Sequence, residues 1–210
     1  MFIAFEGIDG SGKTTQIALL HKYLEHENID NVMTSEPTEG PIGRMIKHII
    51  RKEKQFDVAA LQLLFTADRS YHVEHFIRKW DMEGKLILCD RYIFSTLAFG
   101  GASGLDKPWL FEINKNFPMP DITIVLDISP RLAMERVHSR MKEYLENAKL
   151  IGKNHDKTKV TLYEKIGFLA KVRMEYKKMK SEYDNYFIIS GSMSPSAIHK
   201  NIVSIINENI

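Results

Sequence analysis

The chain has 210 residues, 44% of them hydrophobic, with 29 basic against 27 acidic side chains and a formal net charge of +2. That size and apolar content suit one core in a single domain over 1–210, and the balanced charge excludes binding driven by bulk attraction to nucleic acid or an anionic membrane. One cysteine, Cys89, excludes an intrachain disulfide; with no charged leader ahead of a long apolar stretch, and no run near 18 apolar residues, the expectation is a soluble cytoplasmic protein.

Residues 2–5 are almost wholly apolar, as in a central strand covered on both faces. Residues 7–15 follow as Gly-Ile-Asp-Gly-Ser-Gly-Lys-Thr-Thr, and 14–26 then carry helical spacing through Ile17, Leu20 and Leu24. Gly, four residues, Gly, Lys and Thr between a strand and a helix is the context of a phosphate-binding loop. Gly7, Gly10 and Gly12 let the N–H groups of Ile8, Asp9, Ser11 and their neighbours turn inward around phosphate oxygens, and the helix start aims its positive end at the same anion. Lys13 would reach the β and γ phosphates, the Thr14 hydroxyl would ligate Mg²⁺, and Thr15 would support the first helical turn.

A weaker strand at 31–35 ends at Glu36-Pro37, where proline forbids continuation, and opens a loop. Helical spacing resumes over 42–51 and again over 57–83, with Asp57 as N-cap and Gly84 as stop. A strand at 85–90 ends in Asp90; helices at 92–99 and 108–116 flank a flexible 100–104, and 122–126 is a buried strand. Pro130 starts a helix to about 141, residues 143–161 lose periodicity and read as mobile, and 162–183 recover it. A last strand at 186–189 and a helix at 194–209 complete an alternating series. The prediction is a three-layer α/β/α fold with a five-stranded parallel sheet and right-handed crossovers.

Ligands of such sheets sit beyond the carboxyl ends of the strands, which nominates 7–15, Glu36 with Pro37, Asp90 to Tyr92, and Asp127. Asp90 is placed to reach the Mg²⁺ of the phosphate loop, and Arg91 offers a planar fork to phosphate oxygens. Phe65, Asp68 and Arg69 share one helical face, which by spacing alone is an ordinary amphipathic face with a salt bridge.

The set Phe5 to Gln16, Glu36-Pro37-Thr38, Phe65 with Asp68-Arg69, Asp90-Arg91-Tyr92 with Ser95 and Ala98-Phe99, and Pro120-Asp121 resembles the thymidylate kinase family of P-loop nucleoside monophosphate kinases. The resemblance spans about two thirds of the chain and implies transfer of the γ-phosphoryl group of ATP to dTMP, with Mg²⁺. It implies that Asp9 accepts from the deoxyribose 3′-hydroxyl, that Glu36 and Pro37 contact the acceptor, that Phe65 stacks on thymine and that Arg69 donates to its O4 edge. Arg91 would lie between donor and acceptor phosphates; Ser95 and Thr96 would line the base pocket, and Phe99 would fill the space of a ribose 2′-hydroxyl.

Relatives of this kind with Gly at the position of Gly10 supply an arginine from a lid, here 136–160, which Arg136 and Arg140 open on one helical face. The family's Asp-Arg further along is absent before Tyr163-Glu164, where Lys153, Lys157 and Lys159 stand as alternatives or as a solvated run. Tyr and Gln of many bacterial relatives are Phe99 and Gly100 here, and the loop after Pro37 lacks an acceptor-phosphate arginine, leaving Arg44 and Arg51 nearby. Relatives dimerise through the third helix, so Leu61, Leu64 and Phe65 serve either a homodimer or the monomer core. His72 and His75 lack a third metal ligand. The rival readings are a different monophosphate kinase, a deoxynucleoside kinase using Glu36 as base, and a P-loop switch ATPase.

Overall fold

The computed structural model describes residues 1–51, 56–150 and 162–209, with backbone alone over 143–150 and 162–164. Strands β1 (Phe2–Glu6), β2 (Asn31–Ser35), β3 (Leu86–Asp90), β4 (Ile122–Asp127) and β5 (Tyr186–Ser190) form one parallel sheet in the order β2-β3-β1-β4-β5. The helices are α1 (Lys13–His26), α2 (Pro41–Arg51), α3 (Val58–His72), α4 (Arg78–Met82), α5 (Ile93–Ala102), α6 (Lys107–Glu112), α7 (Pro130–Leu150), α8 (Leu162–Met179) and α9 (Pro195–Asn207).

Period-two alternation along the strands feeds two cores. Ile3, Phe5, Leu86, Leu88, Ile122 and Ile124 meet Ile17, Leu20 and Leu24 of α1 and Ile198, Ile202 and Ile206 of α9 on one side. Phe2, Ala4, Ile87, Cys89 and Val125 meet Phe94 and Leu97 of α5, and Leu169, Val172 and Tyr176 of α8, on the other. Each full burial of such an aliphatic side chain contributes roughly 1.5–3 kcal/mol. Trp80 and Trp109 pack against the second core, as expected.

The register aligns the carboxyl ends. Phe5 pairs with Asp90, Ser35 with Asp90, and Glu6 with Val125, so Glu36, Arg91 and Gly7 leave the sheet side by side. β3, two strands later in sequence, lies directly beside β1.

Four boundaries differ from expectation. The long helix over 57–83 keeps its Asp57 cap, with Oδ1 accepting from Ala60 N at 2.8 Å, but a π-helical turn at Val73–Ile77 divides it. The wider turn shifts the helical phase so that Ile77 is buried while Phe76 is exposed. Gly100 to Ala102 are helical rather than flexible, because a Cβ at Gly100 would lie 2.7 Å from Leu110 Cδ1, and the missing side chain lets α5 and α6 approach. α6 ends at Glu112, followed by a turn over 113–116. α7 continues to Leu150, since Lys, Glu, Leu and Ala over 142–150 favour helix without an apolar stripe. The rest of the segment expected to move, 151–161, with Lys153, Lys157 and Lys159, lies outside the described residues.

Candidate active site

The phosphate loop occupies the bend between β1 and α1. Gly7, Gly10 and Gly12 have φ of 129°, 82° and 103°, a region where a Cβ is strained. At Gly7 a Cβ would also come within 2.7 Å of Leu126 O, and one at Gly10 would collide with Ala133 O of α7. Lys13 is buried, and its Nζ donates to Gly7 O at 3.2 Å and Ile8 O at 3.3 Å, which holds the ammonium over the loop. Burial lowers its pKa to about 8 against the opposing pull of Asp90, Asp9 and Glu6. Ser11 Oγ is buried with no partner among the described residues. A cationic head, a buried hydroxyl without a partner and a backbone that excludes Cβ atoms fit a polyphosphate.

Thr14 Oγ1 donates to Asp90 Oδ2 at 3.0 Å, and Lys13 Nζ lies 3.9 Å from Asp90 Oδ1. A hydroxyl and a carboxylate brought together beside the loop are hard oxygen donors of the type Mg²⁺ takes.

Beside them runs a chain of polar contacts. Arg91 Nη2 donates to Asp9 Oδ1 at 2.8 Å, Arg91 Nη1 donates to Ser95 Oγ at 3.1 Å, and the guanidinium lies 5.1 Å from the Phe99 ring centroid. The Arg91 charge holds the Asp9 carboxyl below its usual range. Ser95 Oγ in turn donates to Glu6 Oε2 at 2.6 Å, and Tyr176 OH donates to the same oxygen at 2.9 Å. Glu6 Oε1 accepts from Tyr92 N at 2.8 Å and from Ser95 N at 3.1 Å, so a β1 carboxylate caps the start of α5. Burial pushes the Glu6 carboxyl up, while Ser95, the Arg91 charge, Tyr92 N and Tyr176 pull it back in part.

A third group lies where β2 meets α3. Arg69 is 1% exposed; its Nη2 donates to Glu36 Oε2 at 2.7 Å, and its Nη1 donates to Thr96 Oγ1 at 3.3 Å and to Asn114 Oδ1. Its Cζ sits 4.9 Å from the Tyr92 ring centroid, and its Nε has no hydrogen-bond partner among the described residues. His72 is buried with Nδ1 3.1 Å from Glu36 Oε1 and Nε2 2.7 Å from Thr34 Oγ1. Asp68 accepts from Thr38 N and Thr38 Oγ1, both at 2.7 Å. Both oxygens of Glu36 are thus engaged, a poor arrangement for a free general base.

Most of the residues nominated from sequence fall into these three groups. Phe65 is half-buried one turn before Arg69, Pro37 is half-buried, and Thr15 is exposed. Arg136 is half-buried one turn beyond Ala133, whose carbonyl faces Gly10, and Arg140 is exposed a turn further on. Arg44 donates to Glu39 O, and Arg51 is exposed. Asp127, nominated only by its strand end, instead accepts from Arg173 Nη2 at 2.8 Å and pairs with Lys177 at 3.4 Å; β4 delivers it to α8. Sequence reasoning gave no role to Glu6, Tyr176 or Asn114. A lone carboxylate ending an apolar strand was the available signal for Glu6; nothing local marks the other two.

The thymidylate kinase family model matches residues 5–202. A "Probable thymidylate kinase" of Pyrococcus horikoshii is 37% identical to this chain, covering 100% of it and 97% of that protein. "Probable thymidylate kinase 1" of Saccharolobus solfataricus is 37% identical over 99% of this chain and 97% of its own length. A "Probable thymidylate kinase" of Pyrobaculum aerophilum is 36% identical over 98% and 95%.

Proposed function

The chain belongs to the thymidylate kinase family and is an ATP:dTMP phosphotransferase, and from that premise we propose how its residues divide the work. Lys13, with the loop from Gly7 to Thr15, holds the β and γ phosphates of ATP, and Arg136 reaches the donor nucleotide from α7. Thr14 and Asp90 would hold Mg²⁺, which would supply positive charge against the phosphates when bound. Asp9 receives the deoxyribose 3′-hydroxyl. Phe65, Arg69, Thr96 and Ser95 seat the thymine, Glu36 and Pro37 shape the acceptor wall, and Phe99 excludes a 2′-hydroxyl.

Phosphoryl transfer asks the protein mainly to position the reactants and to stabilise charge. Arg91 does both: Asp9 and Ser95 orient its fork at the sheet edge between the phosphate loop and the Glu36–Arg69 group. Arg140, on the α7 face that starts against Gly10, brings a second positive charge toward the donor phosphates, and exclusion of water from the assembled site keeps it from taking the phosphoryl group.

The observation that carries this reading is the alignment of Gly7, Arg91 and Glu36 at the carboxyl ends of three neighbouring strands, which supports a donor loop on one side of Arg91 and an acceptor pocket on the other. ATP consumption measured separately with dTMP, dUMP, thymidine and UMP tests it. dTMP is the expected best acceptor; a preference for thymidine moves the assignment to nucleoside kinase, against which the engaged Glu36 argues.

The same proposal places the enzyme in the cytoplasm as one domain over 1–210, and as a homodimer. Among the described residues no helix is long and apolar enough to cross a membrane. Leu61, Leu64 and Phe65 are half-buried within the chain, whereas Met45, Ile50, Val58 and Leu63 leave apolar surface exposed on the adjoining α2 and α3. Sedimentation at twice the 24.3 kDa chain mass is expected; a single-chain mass at assay concentration removes the dimer.

A further inference from the structure

The acceptor pocket proposed above rests on Arg69 being held in one orientation by Glu36, Thr96 and Asn114, and α3 contributes to that hold a second residue besides Arg69. Its face presents Asp68, Arg69 and His72 to the end of β2 and the segment that follows: Asp68 to Thr38, Arg69 to Glu36, and His72 to both Glu36 and Thr34. His72 is the last residue of α3, at the point where the π-helical turn begins. Such turns recur at functional sites.

The chemistry of the contacts sets the proton positions. Arg69 Nη2 at 2.7 Å makes Glu36 an ionised partner, and a carboxylate only accepts, so His72 Nδ1–H donates to Oε1. Thr34 Oγ1 satisfies the other ring nitrogen from a β2 residue whose main chain is fixed by pairing with β3. Each carboxylate oxygen of Glu36 therefore has its own cationic or N–H donor, and the carboxylate plane is fixed from behind. Arg69 makes its remaining side-chain bonds to Thr96 and Asn114 and, among the described residues, keeps Nε without a partner.

We propose that His72 is a positioning residue for acceptor-base recognition: its imidazole, braced by Thr34, locks the Glu36 carboxylate and through it aims the Arg69 guanidinium at the edge of the base. This rests on the acceptor reading given under Proposed function. His72 touches neither substrate nor the reacting phosphate. Without its N–H, Glu36 Oε1 is left buried and without its donor, the carboxylate turns to find another, and Arg69 turns with it.

The test compares His72→Leu, His72→Asn and Thr34→Val with the parent enzyme, using dTMP and dCMP as acceptors. Thymine presents a carbonyl to an arginine at the ring position where cytosine presents an amino group. His72→Leu is expected to raise KM for dTMP about 10–100-fold, with kcat and KM for ATP within about threefold, because a buried bond to a charged group is lost. The dTMP-over-dCMP ratio of kcat/KM should fall about tenfold. His72→Asn, whose amide N–H stands near the place of Nδ1–H, should recover most of both effects, and Thr34→Val should show a smaller loss in the same direction.

A His72→Leu enzyme with parental dTMP KM and discrimination overturns the proposal. So does a loss shared equally by the ATP and dTMP constants, or an asparagine variant no better than leucine. Where the leucine variant does not fold, Thr34→Val decides: parental KM and discrimination there overturn the clamp. A parent enzyme indifferent between dTMP and dCMP overturns the acceptor reading itself, whereas a selective parent whose variants stay selective overturns the clamp alone.

Discussion

An Arg91→Ala enzyme is expected to turn over dTMP about 10³-fold or more slowly than its parent, a loss of about 4 kcal/mol in transition-state stabilisation, with KM for ATP changed by a few-fold at most. Three features of the fold carry that expectation. Arg91 has φ of 70°, unusual for a side chain with a Cβ, and its N–H is tied to Phe5 O at 2.9 Å. The turn this makes sends the side chain back across β1 to Asp9, where the carboxylate and Ser95 hold opposite ends of the fork. Burial opposes the guanidinium charge, but Asp9, Tyr176, Glu6 and Asp90 hold it above its ordinary pKa, so the charge is permanent at any working pH. Arg91→Lys keeps the charge without the fork and should recover only part of the loss. Single-turnover rates within a few-fold of the parent for the alanine variant would take Arg91 out of the chemistry.

The second large effect is on stability. Glu6 is fully buried and accepts four hydrogen bonds, from Tyr92 N at the N-cap of α5, Ser95 N and Ser95 Oγ within it, and Tyr176 OH of α8. Glu6→Ala strands all four donors around a cavity and removes a counter-charge to Arg91, so urea unfolding should show a loss of about 3–5 kcal/mol. Glu6→Gln keeps the shape and the acceptor at Oε1. At the other position Tyr176 OH can rotate to accept, although Ser95 Oγ already accepts from Arg91, so a smaller cost of about 1–2 kcal/mol is expected. The two effects separate by assay: Glu6→Ala that folds should also lower kcat, since Ser95 loses its anchor. An alanine variant within about 1 kcal/mol of the parent would mean that water replaces the carboxylate and that the network is dispensable.

Much of the candidate site was legible because it is contiguous. The phosphate loop declares itself by spacing, with Gly7, Gly10 and Gly12 where the chain takes positive φ, and strand ends such as Asp90 follow from the alternation of strands and helices. Where reading by local pattern failed, a partner distant in sequence decided. Asp127 sits at a strand end like Asp90, yet Arg173 of α8 claims it. Gly100 and Gly101 have the composition of a loop, yet Leu110 packs against the first and keeps both in α5. Spacing alone made Phe65, Asp68 and Arg69 an amphipathic face with an ordinary ion pair. In the folded chain Asp68 turns to Thr38 and Arg69 to Glu36, Thr96 and Asn114.

What the sequence determined by itself was therefore what depends on neighbours along the chain: the order and type of most elements, the parallel sheet, and the glycine-rich loop between β1 and α1. Only the tertiary structure decided which side chains meet across the sheet edge: Glu6 with Ser95 and Tyr176, Asp9 with Arg91, and Glu36 with Arg69 and His72. The physical reason is that a hydrogen bond between residues 33 to 170 positions apart has no periodic signature. It is set by strand order and register, which bring carboxyl ends to one line, and by the cost of leaving a buried carboxylate without donors.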